Sequence, residues 1–392
     1  MHLPIVRPRF PELHYGPLSS RFADQLEQCL ETGQVTNNGR HVQEFEAKLT
    51  DYLGAPTLAF NSGMSALTAM LLAADVRGGE VIVPSFTFPA TVQAVILAGA
   101  TPVFADIDED TWTLDPDNVW LHVTNRTKAI LGVDVYGIPC DYDGFADVCE
   151  DEDFWFLLDC APAFGSTASE GLRARNAHAQ IFSFHATKPF TTMEGGCLCT
   201  ADYVIWEKAR AIRNFGQRDN GENLNIGING KMLEICALIG LEKLQEWDVV
   251  ASQRKSAAAS LRLALGKIEE IGMPFPAPMD SPIWTYCPIL PDFAALQCTR
   301  EEFMLGLYAK GIETRVYYGA CHKFYGSEAQ LPITDDIASR VVALPVYNDM
   351  TAEEIDYIAA AVKDLVGEAL CKVRTSSSSV VADISESPSV AS

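Results

Sequence analysis

The chain has 392 residues, a formal net charge of -23 at pH 7, and 48% hydrophobic residues. This length can bury the cores of two domains, and the negative charge argues against nucleic acid or an anionic membrane as a partner. No apolar run is long enough for a transmembrane helix, and the N-terminus lacks an apolar signal region. We therefore expect a cytoplasmic protein.

The cysteines do not suggest a disulfide framework or a zinc site. Eleven of them are scattered along the chain, which suits a reducing compartment. Cys197 and Cys199 form a Cys-x-Cys pair, but no second pair or histidine at zinc-ligand spacing accompanies them. We interpret the two as alternate residues of a buried strand and expect no metal site.

The first half of the sequence alternates between helical and strand-like segments. Helical spacing followed by glycine predicts helices over 22–33 and 41–54. The next predicted elements, in chain order, are a strand at 57–60, a helix at 62–76, a strand at 79–86, a helix at 87–99, and strands at 101–107, 128–137 and 154–161. Apolar strands that alternate with helices are typical of a mostly parallel sheet covered on both faces.

The pattern changes after residue 245. A long helix is predicted over 233–272, and a proline-rich turn follows at 273–282. We predict a large α/β domain over 1–245, which includes an N-terminal arm, and a smaller α+β domain over 246–370. The Ser-rich sequence that follows lacks large apolar residues, which predicts a disordered tail over 371–392.

Several residues with useful chemistry lie where strands of the predicted sheet end, the edge at which open α/β sheets bind ligands. The sequence NSGMS at 61–65 joins a strand to a helix, where backbone N–H groups and the helix dipole can bind a phosphate. Asp159 ends the run FWFLLD, although a carboxylate there could also cap a following helix. Ser183 ends the run IFSF, and His185 and Lys188 follow it.

These segments occur in an order that resembles the DegT/DnrJ/EryC1/StrS family of pyridoxal-phosphate (PLP)-dependent sugar aminotransferases. The resemblance extends from about residue 4 to residue 365, and it is carried by NNGRHVQEFEAKLTDYLG, NSGMSAL, VIVPSFTFPATVQAVILAGATPVFADID, LLDCAPAFGS, FSFHATKPFTTMEGG, IRNFG, NGKMLEICALIGLEKL, RVYYGACH and LPVYNDMTAEEID. A GxGxxG fingerprint of dinucleotide-binding folds is absent. The resemblance implies the α/β fold type I of aspartate aminotransferase, with a mostly parallel central sheet and a smaller C-terminal α+β domain.

The resemblance implies catalytic roles for two residues, Lys188 and Asp159. Lys188 matches the lysine whose amine binds the PLP aldehyde and then carries protons during the reaction. Asp159 matches the acid that keeps the pyridine nitrogen protonated. Phe88 matches the aromatic residue that stacks on the ring, although an aromatic side chain could also be part of the core.

The resemblance also implies a phosphate site and a homodimer. Ser183 and the backbone amides of Gly63 and Met64 match the residues that bind the cofactor phosphate. Asn229 matches a residue that reaches the phosphate of the neighbouring subunit, which implies a homodimer with shared active sites. Without the resemblance, Asn229 could be a turn residue beside Gly230.

Four further residues are candidates for the substrate side. His185 lies near the lysine in sequence, and it either contributes to the site or is a buried histidine with satisfied hydrogen bonds. Arg315, Tyr318 and His322 match a stretch that approaches the substrate in the family. They could equally be partly exposed residues on a domain face.

Three positions depart from the common family pattern. Pro162 stands where the family commonly has Gln or His against the phenolic oxygen of the cofactor, and its nitrogen cannot donate a hydrogen bond. Met64 replaces a threonine, so a phosphate contact would have to come from Ser62 or Ser65. Pro189 follows the lysine where asparagine is common. Because the lysine and the aspartate remain, these departures bear on substrate and efficiency more than on the cofactor.

The resemblance implies transfer of an amino group from an amino acid, glutamate, to a keto-sugar. The acceptor would be a nucleotide-linked keto-deoxysugar used in surface-polysaccharide or secondary-metabolite biosynthesis. A cyclitol or aminobenzoate-type relative, or a PLP-binding protein without turnover, remains an alternative. Sugar dehydratases of the family carry histidine in place of the lysine, so Lys188 weighs against that reaction.

Overall fold

The computed structural model describes residues 1–7, 20–152, 154–166, 177–275 and 282–385. The helices in this part of the chain are α1 (Ser20–Thr32), α2 (Arg40–Leu53), α3 (Gly63–Ala73), α4 (Pro89–Leu97), α5 (Pro116–Trp120), α6 (Tyr142–Glu152), α7 (Tyr203–Arg213), α8 (Glu234–Leu265), α9 (Phe293–Leu296), α10 (Arg300–Ala309), α11 (Cys321–Phe324), α12 (Pro332–Arg340) and α13 (Ala352–Ser385). The strands are β1 (Thr57–Phe60), β2 (Glu80–Pro84), β3 (Thr101–Ala105), β4 (Thr127–Val133), β5 (Trp155–Asp159), β6 (Ala179–Ser183), β7 (Gly196–Cys199), β8 (Ile271–Gly272), β9 (Cys287–Pro291) and β10 (Val342–Leu344).

The central sheet has seven strands in the order β1-β7-β6-β5-β4-β2-β3. Strand β7 is antiparallel to both of its neighbours, and the other pairs are parallel. The prediction of a mostly parallel sheet is therefore confirmed. Because β4, β5 and β6 run in the same direction, Asp159 and Ser183 both lie at the carboxyl edge of the sheet, where β5 and β6 end.

Helices cover both faces of this sheet. Helices α3, α4 and α7 bury one set of strand residues, and α2, α6 and α8 bury the alternate set. Strand β5 is apolar on both faces, as a central parallel strand requires. Cys197 and Cys199 are both buried on the face covered by α2 and α8, which confirms that they are alternate residues of a buried strand.

The second unit is built on the small antiparallel sheet β10-β9-β8. Its core combines the second half of α8 with α10 and α13, and it also includes Phe86, Trp112 and Tyr136 from the large unit. Helix α8 ends at Leu265, whereas the predicted helix extended to residue 272. The last two residues of that predicted helix, Ile271 and Gly272, instead form strand β8. The predicted domain boundary at residue 245 thus falls inside a continuous helix.

The two ends of the chain differ from the sequence-based expectation. Leu3, which we assigned to an arm of the large domain, pairs with Ile312 and is buried in the core of the second unit. Helix α13 extends to Ser385, through most of the segment expected to be disordered, and residues 386–392 lie outside the described part. No glycine or proline interrupts 368–385, so the helix has no local stop signal there.

None of the helices in the described ranges combines the length and the apolar character needed to cross a lipid bilayer.

Candidate active site

Asp159 is a buried carboxylate held by two donors. It is 5% exposed, and its Oδ2 accepts a 2.8 Å hydrogen bond from Thr91 Oγ1 while its Oδ1 accepts one of 3.1 Å from the N–H of Ala161. Thr87 Oγ1 lies 2.8 Å from Thr91 Oγ1. Residues 160–166 form turns, so Asp159 does not cap a following helix. The two threonine hydroxyls therefore orient a carboxylate whose position is set by strand β5.

Lys188 lies in the loop between β6 and β7. Its side chain is half-buried. Its backbone N–H donates a 2.9 Å hydrogen bond to the carbonyl of His185, and this bond closes a turn over residues 185–188. Burial lowers the pKa of the Lys188 amine, and the charge of Asp159 acts in the opposite direction. Burial raises the pKa of Asp159, and the hydrogen bonds from Thr91 and Ala161 and the charge of Lys188 lower it. The fold thus brings the two predicted catalytic residues into electrostatic contact.

The start of α3 packs closely against β6 and β7. A Cβ atom on Gly63 would lie 2.7 Å from the Cβ of Ser183, and one on Gly196 would lie 2.6 Å from the nitrogen of Gly63. Ser62 caps the helix, because its hydroxyl accepts a 3.1 Å hydrogen bond from the N–H of Ser65. The first amides of α3 therefore lie next to the Ser183 hydroxyl, an arrangement that suits a phosphate group.

The three residues that depart from the family pattern, Met64, Pro162 and Pro189, differ in their contacts. Met64 packs against the apolar cluster under α3, and its thioether cannot replace the hydroxyl of the threonine common in the family. The Ser65 hydroxyl lies beside that of Ser62, at 3.0 Å. The carbonyl of Pro162 accepts a 3.0 Å hydrogen bond from Thr285, and Pro189 is half-buried beside the lysine.

Phe88 and His185 are both exposed. Phe88 is the N-cap residue of α4 and is 54% exposed, so it is not part of the core. His185 Nδ1 lies 2.9 Å from Thr187 Oγ1, and its Nε2 lies 3.5 Å from the Glu194 carboxylate. His185 is therefore not a buried histidine. A ring could stack on Phe88, whereas the role of His185 stays a prediction.

Asn229 is exposed beside the end of β1. Its carbonyl accepts a 2.9 Å hydrogen bond from Asn61 Nδ2. Two residues later, Lys231 forms an antiparallel β-bridge with Phe60, the last residue of β1. This backbone pairing places Asn229 next to Asn61, the first residue of the NSGMS turn.

The three predicted residues near position 320 differ in environment. Arg315 is exposed. Tyr318 is buried against the rings of Phe86 and Tyr136, and its pKa is raised by burial and by nearby charges that include Asp159. His322 is 2% exposed, with Nδ1 2.7 Å from Ser85 Oγ. The alternative of a partly exposed domain face is therefore wrong for Tyr318 and His322.

Lys188 also lines a cavity of about 1020 Å³. The cavity lies between the lysine loop, α8, residues 5–7 and the segment 346–350, and Arg7, Arg254 and Tyr347 contribute to its wall. Asp159, Ser183 and Phe88 do not line it. The cavity therefore approaches the site from the side of the lysine.

Sequence analysis missed Thr87 and Thr91. Both occur in the sequence TFPAT, and Thr91 lies in the first turn of α4. A threonine at a helix start usually suggests local capping, and nothing in the sequence indicates that its hydroxyl reaches a residue on β5. Only the packing of α4 against the sheet shows this contact.

Two features define a PLP-dependent enzyme of fold type I. The first is the central sheet with its single reversed strand, β7. The second is a lysine whose pKa is lowered by burial, together with an aspartate at the end of a strand and a helix that begins at a closely packed glycine. The chain belongs to the DegT/DnrJ/EryC1/StrS aminotransferase family, whose sequence model matches residues 18–363. It is a PLP-dependent aminotransferase.

Individual proteins show the extent of the similarity. The chain is 32% identical over 369 residues to the dTDP-4-amino-4,6-dideoxy-D-glucose transaminase of Shigella dysenteriae, with 92% of this chain and 98% of the relative covered. The crystal structure of DesI in the presence of its TDP-sugar product has a TM-score of 0.87 and 31% identity, with 95% of each chain covered. The PLP form of Spr1654 from Streptococcus pneumoniae has a TM-score of 0.84 and 26% identity, with 94% of this chain and 100% of that chain covered.

Replacement of Gly63 by alanine is expected to weaken PLP binding by roughly tenfold or more, because one displaced hydrogen bond to a charged group costs about 1.5–3 kcal/mol. The added Cβ would meet the Ser183 side chain at 2.7 Å. Fluorescence titration of the cofactor-depleted protein with PLP measures the effect. Gly367→Ala is the control, since open space surrounds that position in α13; equal PLP affinity of the two variants would contradict the close-packing argument.

Proposed function

We propose that this aminotransferase moves an amino group from glutamate to a nucleotide-linked keto-sugar. The observation that carries the proposal is the placement of Asp159 at the end of β5, held by Thr91, in a position where its charge acts on the half-buried Lys188 of the next loop. The choice of acceptor is supported by the names of the relatives, which refer to a dTDP-sugar transaminase and to a TDP-sugar product.

The described residues fit PLP. A Cβ at Gly63 would meet the Ser183 side chain at 2.7 Å, so glycine there lets the first amides of α3 lie next to the Ser183 hydroxyl, where both can donate to one phosphate. In the proposed site, Ser183 and the amides of Gly63 and Met64 hold the phosphate, and Phe88 covers the ring. When bound, PLP supplies an electron sink for the carbanion formed as the donor loses its α-proton.

Asp159 and Lys188 would perform the proton chemistry. Asp159 is held by hydrogen bonds from Thr91 and Ala161 that favour its carboxylate form, and that carboxylate would keep the proton on the ring nitrogen. The lowered pKa of Lys188 favours its neutral amine, which is the form that can accept a proton from the reacting carbon and return it. Asp159 is buried, so water does not compete for its hydrogen bonds.

Thr91→Val is expected to move the acidic limb of the kcat/KM profile upward by about one pH unit. The Thr91 hydroxyl lowers the pKa of Asp159, so its loss raises that pKa further and the carboxylate becomes protonated at a higher pH. A hydrogen bond to a charged group contributes about 1.5–3 kcal/mol, and about 1.4 kcal/mol corresponds to one pKa unit. Thr91→Ser retains a hydroxyl and should restore the profile; an identical acidic limb in both variants would refute the role of Thr91.

The acceptor class is tested with a substrate panel. Purified protein is incubated with glutamate and with 3-keto- and 4-keto-6-deoxysugars linked to TDP, UDP or GDP, and the products are identified by mass spectrometry. We expect an aminosugar nucleotide together with an equal amount of 2-oxoglutarate. Free keto-cyclitols belong in the same panel. Turnover of these compounds without turnover of any keto-sugar nucleotide would overturn the acceptor assignment.

We also propose a homodimer in which Asn229 of one protomer reaches the phosphate site of the other. The exposed position of Asn229 and the exposed apolar side chains of Phe215 and Leu233 near it support an interface at this edge. Lys188→Ala and Asn229→Ala are expected to be weakly active alone. A subunit-exchanged mixture should recover up to about a quarter of wild-type activity, because half of the dimers are mixed and each has one intact site. No recovery in a mixture shown to exchange subunits would place each site within one chain.

A further inference from the structure

Three buried side chains with metal-binding atoms meet where α1, α2 and α8 pack together, and none of them belongs to the site described above. Cys29, His41 and Glu234 are 6%, 4% and 1% exposed. One thiol sulfur, one imidazole nitrogen and one carboxylate oxygen all lie within 4.8 Å of one another. We call these three residues the Cys29–His41–Glu234 cluster.

Two polar atoms of the cluster have no hydrogen-bond partner among the described residues. Glu234 Oε2 accepts a 2.8 Å hydrogen bond from the N–H of His41, at the start of α2. Its other oxygen, Oε1, and the Nδ1 atom of His41 are buried without a partner. An unsatisfied buried polar group costs about 1–3 kcal/mol, so two such atoms beside a thiol indicate a bound group that satisfies them.

The backbone at Gly39 leaves space for the Glu234 carboxylate because glycine has no side chain. A Cβ atom on Gly39, which precedes α2, would lie 2.7 Å from the Cδ of Glu234 and 2.8 Å from its Oε1. Phe22, Leu238 and Ile239 are buried in one apolar cluster with Cys29. A dry shell around mixed sulfur, nitrogen and oxygen ligands strengthens metal binding, because it limits competition from water.

We propose that the Cys29–His41–Glu234 cluster binds one zinc ion, contrary to our expectation from sequence that no metal site exists. Zinc prefers this borderline-soft set of thiolate, imidazole and carboxylate ligands. Ligand atoms around tetrahedral zinc are roughly 3.5 Å apart, so a side-chain shift of about 1 Å closes the site. Three protein ligands leave the fourth position to a water molecule.

The ion would have a structural role. The three ligands come from three different helices, and α8 continues into the second unit of the fold. Zinc would therefore link α1 and α2 to α8, and its binding free energy would add to the stability of the folded state. Neither Lys188 nor Asp159 belongs to the cluster, so the proposal is independent of the reaction.

Zinc binding is measured with the full-length, PLP-loaded protein by competition against a fluorescent zinc chelator, with metal analysis after gel filtration. We expect one zinc per chain and a higher melting temperature in the presence of zinc. Cys29→Ser and His41→Gln should each weaken binding by about a hundredfold or more and remove the thermal shift. Cys149→Ser replaces a buried cysteine on α6, outside the cluster, and should leave both results unchanged.

Cobalt substitution gives a readout specific to the thiolate. Co²⁺ bound to the wild type and to Cys149→Ser should produce a thiolate charge-transfer band and intense visible bands of a four-coordinate ion. Difference spectra against the zinc form remove the absorption of PLP. If Cys29→Ser does not fold, His41→Gln serves as the test variant, since it keeps the thiol and the backbone bond to Glu234. No zinc in the wild type, or equal zinc content in Cys29→Ser and Cys149→Ser, would overturn the proposal.

Discussion

Replacement of Lys188 by alanine is expected to reduce kcat for amino-group transfer by at least about a thousandfold. The amine is desolvated and lies within electrostatic reach of Asp159. Alanine removes both the attachment point for the cofactor and the proton carrier, and loss of general acid–base catalysis alone costs about 10²–10⁴-fold. Turnover of glutamate with an accepted keto-sugar nucleotide, normalised to folded protein, measures the loss.

Reduction with borohydride provides a second measurement on the same lysine. Peptide mass analysis of the PLP-loaded wild type should locate the reduced cofactor on the peptide that contains Lys188. Lys363→Ala, an exposed position on α13, is the matched control and should retain both the label and the turnover. Full turnover by Lys188→Ala, or a wild-type label found on a different lysine, would refute the assignment.

Asp159→Asn is expected to lower kcat by about 10²–10⁴-fold while the protein stays folded. Asparagine has nearly the same shape: its Oδ1 can still accept the hydrogen bond from the Ala161 N–H, and its Nδ2 can donate to the Thr91 hydroxyl oxygen, which accepts. It carries no charge, so it cannot hold a proton on the ring nitrogen. Removing one preorganised group that stabilises charge in the transition state costs about 10²–10³-fold in kcat, which lies within this range. Steady-state kinetics at saturating PLP and circular dichroism separate catalysis from folding.

Asp134→Asn is the matched control for Asp159→Asn. Asp134 is also a buried aspartate that follows a central strand, but its carboxylate accepts hydrogen bonds from the Tyr142 hydroxyl and the N–H of Cys140. We expect its replacement to reduce stability by about 1–3 kcal/mol with little change in turnover per PLP-loaded site. Equal losses of kcat in the two variants would show that Asp159 acts through the structure of the sheet edge rather than through its charge.

The local elements of the large unit could be predicted well from the sequence. The alternation of apolar strands and helices predicted the mostly parallel sheet, because strands buried on both faces must be apolar throughout. The reversal of β7 was not predicted, since the direction of a short strand such as GCLC depends on the path of the loop before it. The end of α8 and the helical segment after residue 370 were also misjudged, because helix ends depend on weak local signals.

The sequence by itself determined the chemistry of this protein: Lys188, Asp159 and Ser183 stand in motifs whose order along the chain indicated a PLP-dependent aminotransferase. The tertiary structure alone decided which neighbours tune and support those residues. The hydroxyl of Thr91 reaches Asp159, Gly63 packs on Ser183, and Cys29 lies against two side chains from distant helices. The physical reason is that these contacts join residues far apart in sequence. Local propensity and periodicity report on neighbours within a few residues, whereas packing between elements sets burial, pKa and ligand geometry.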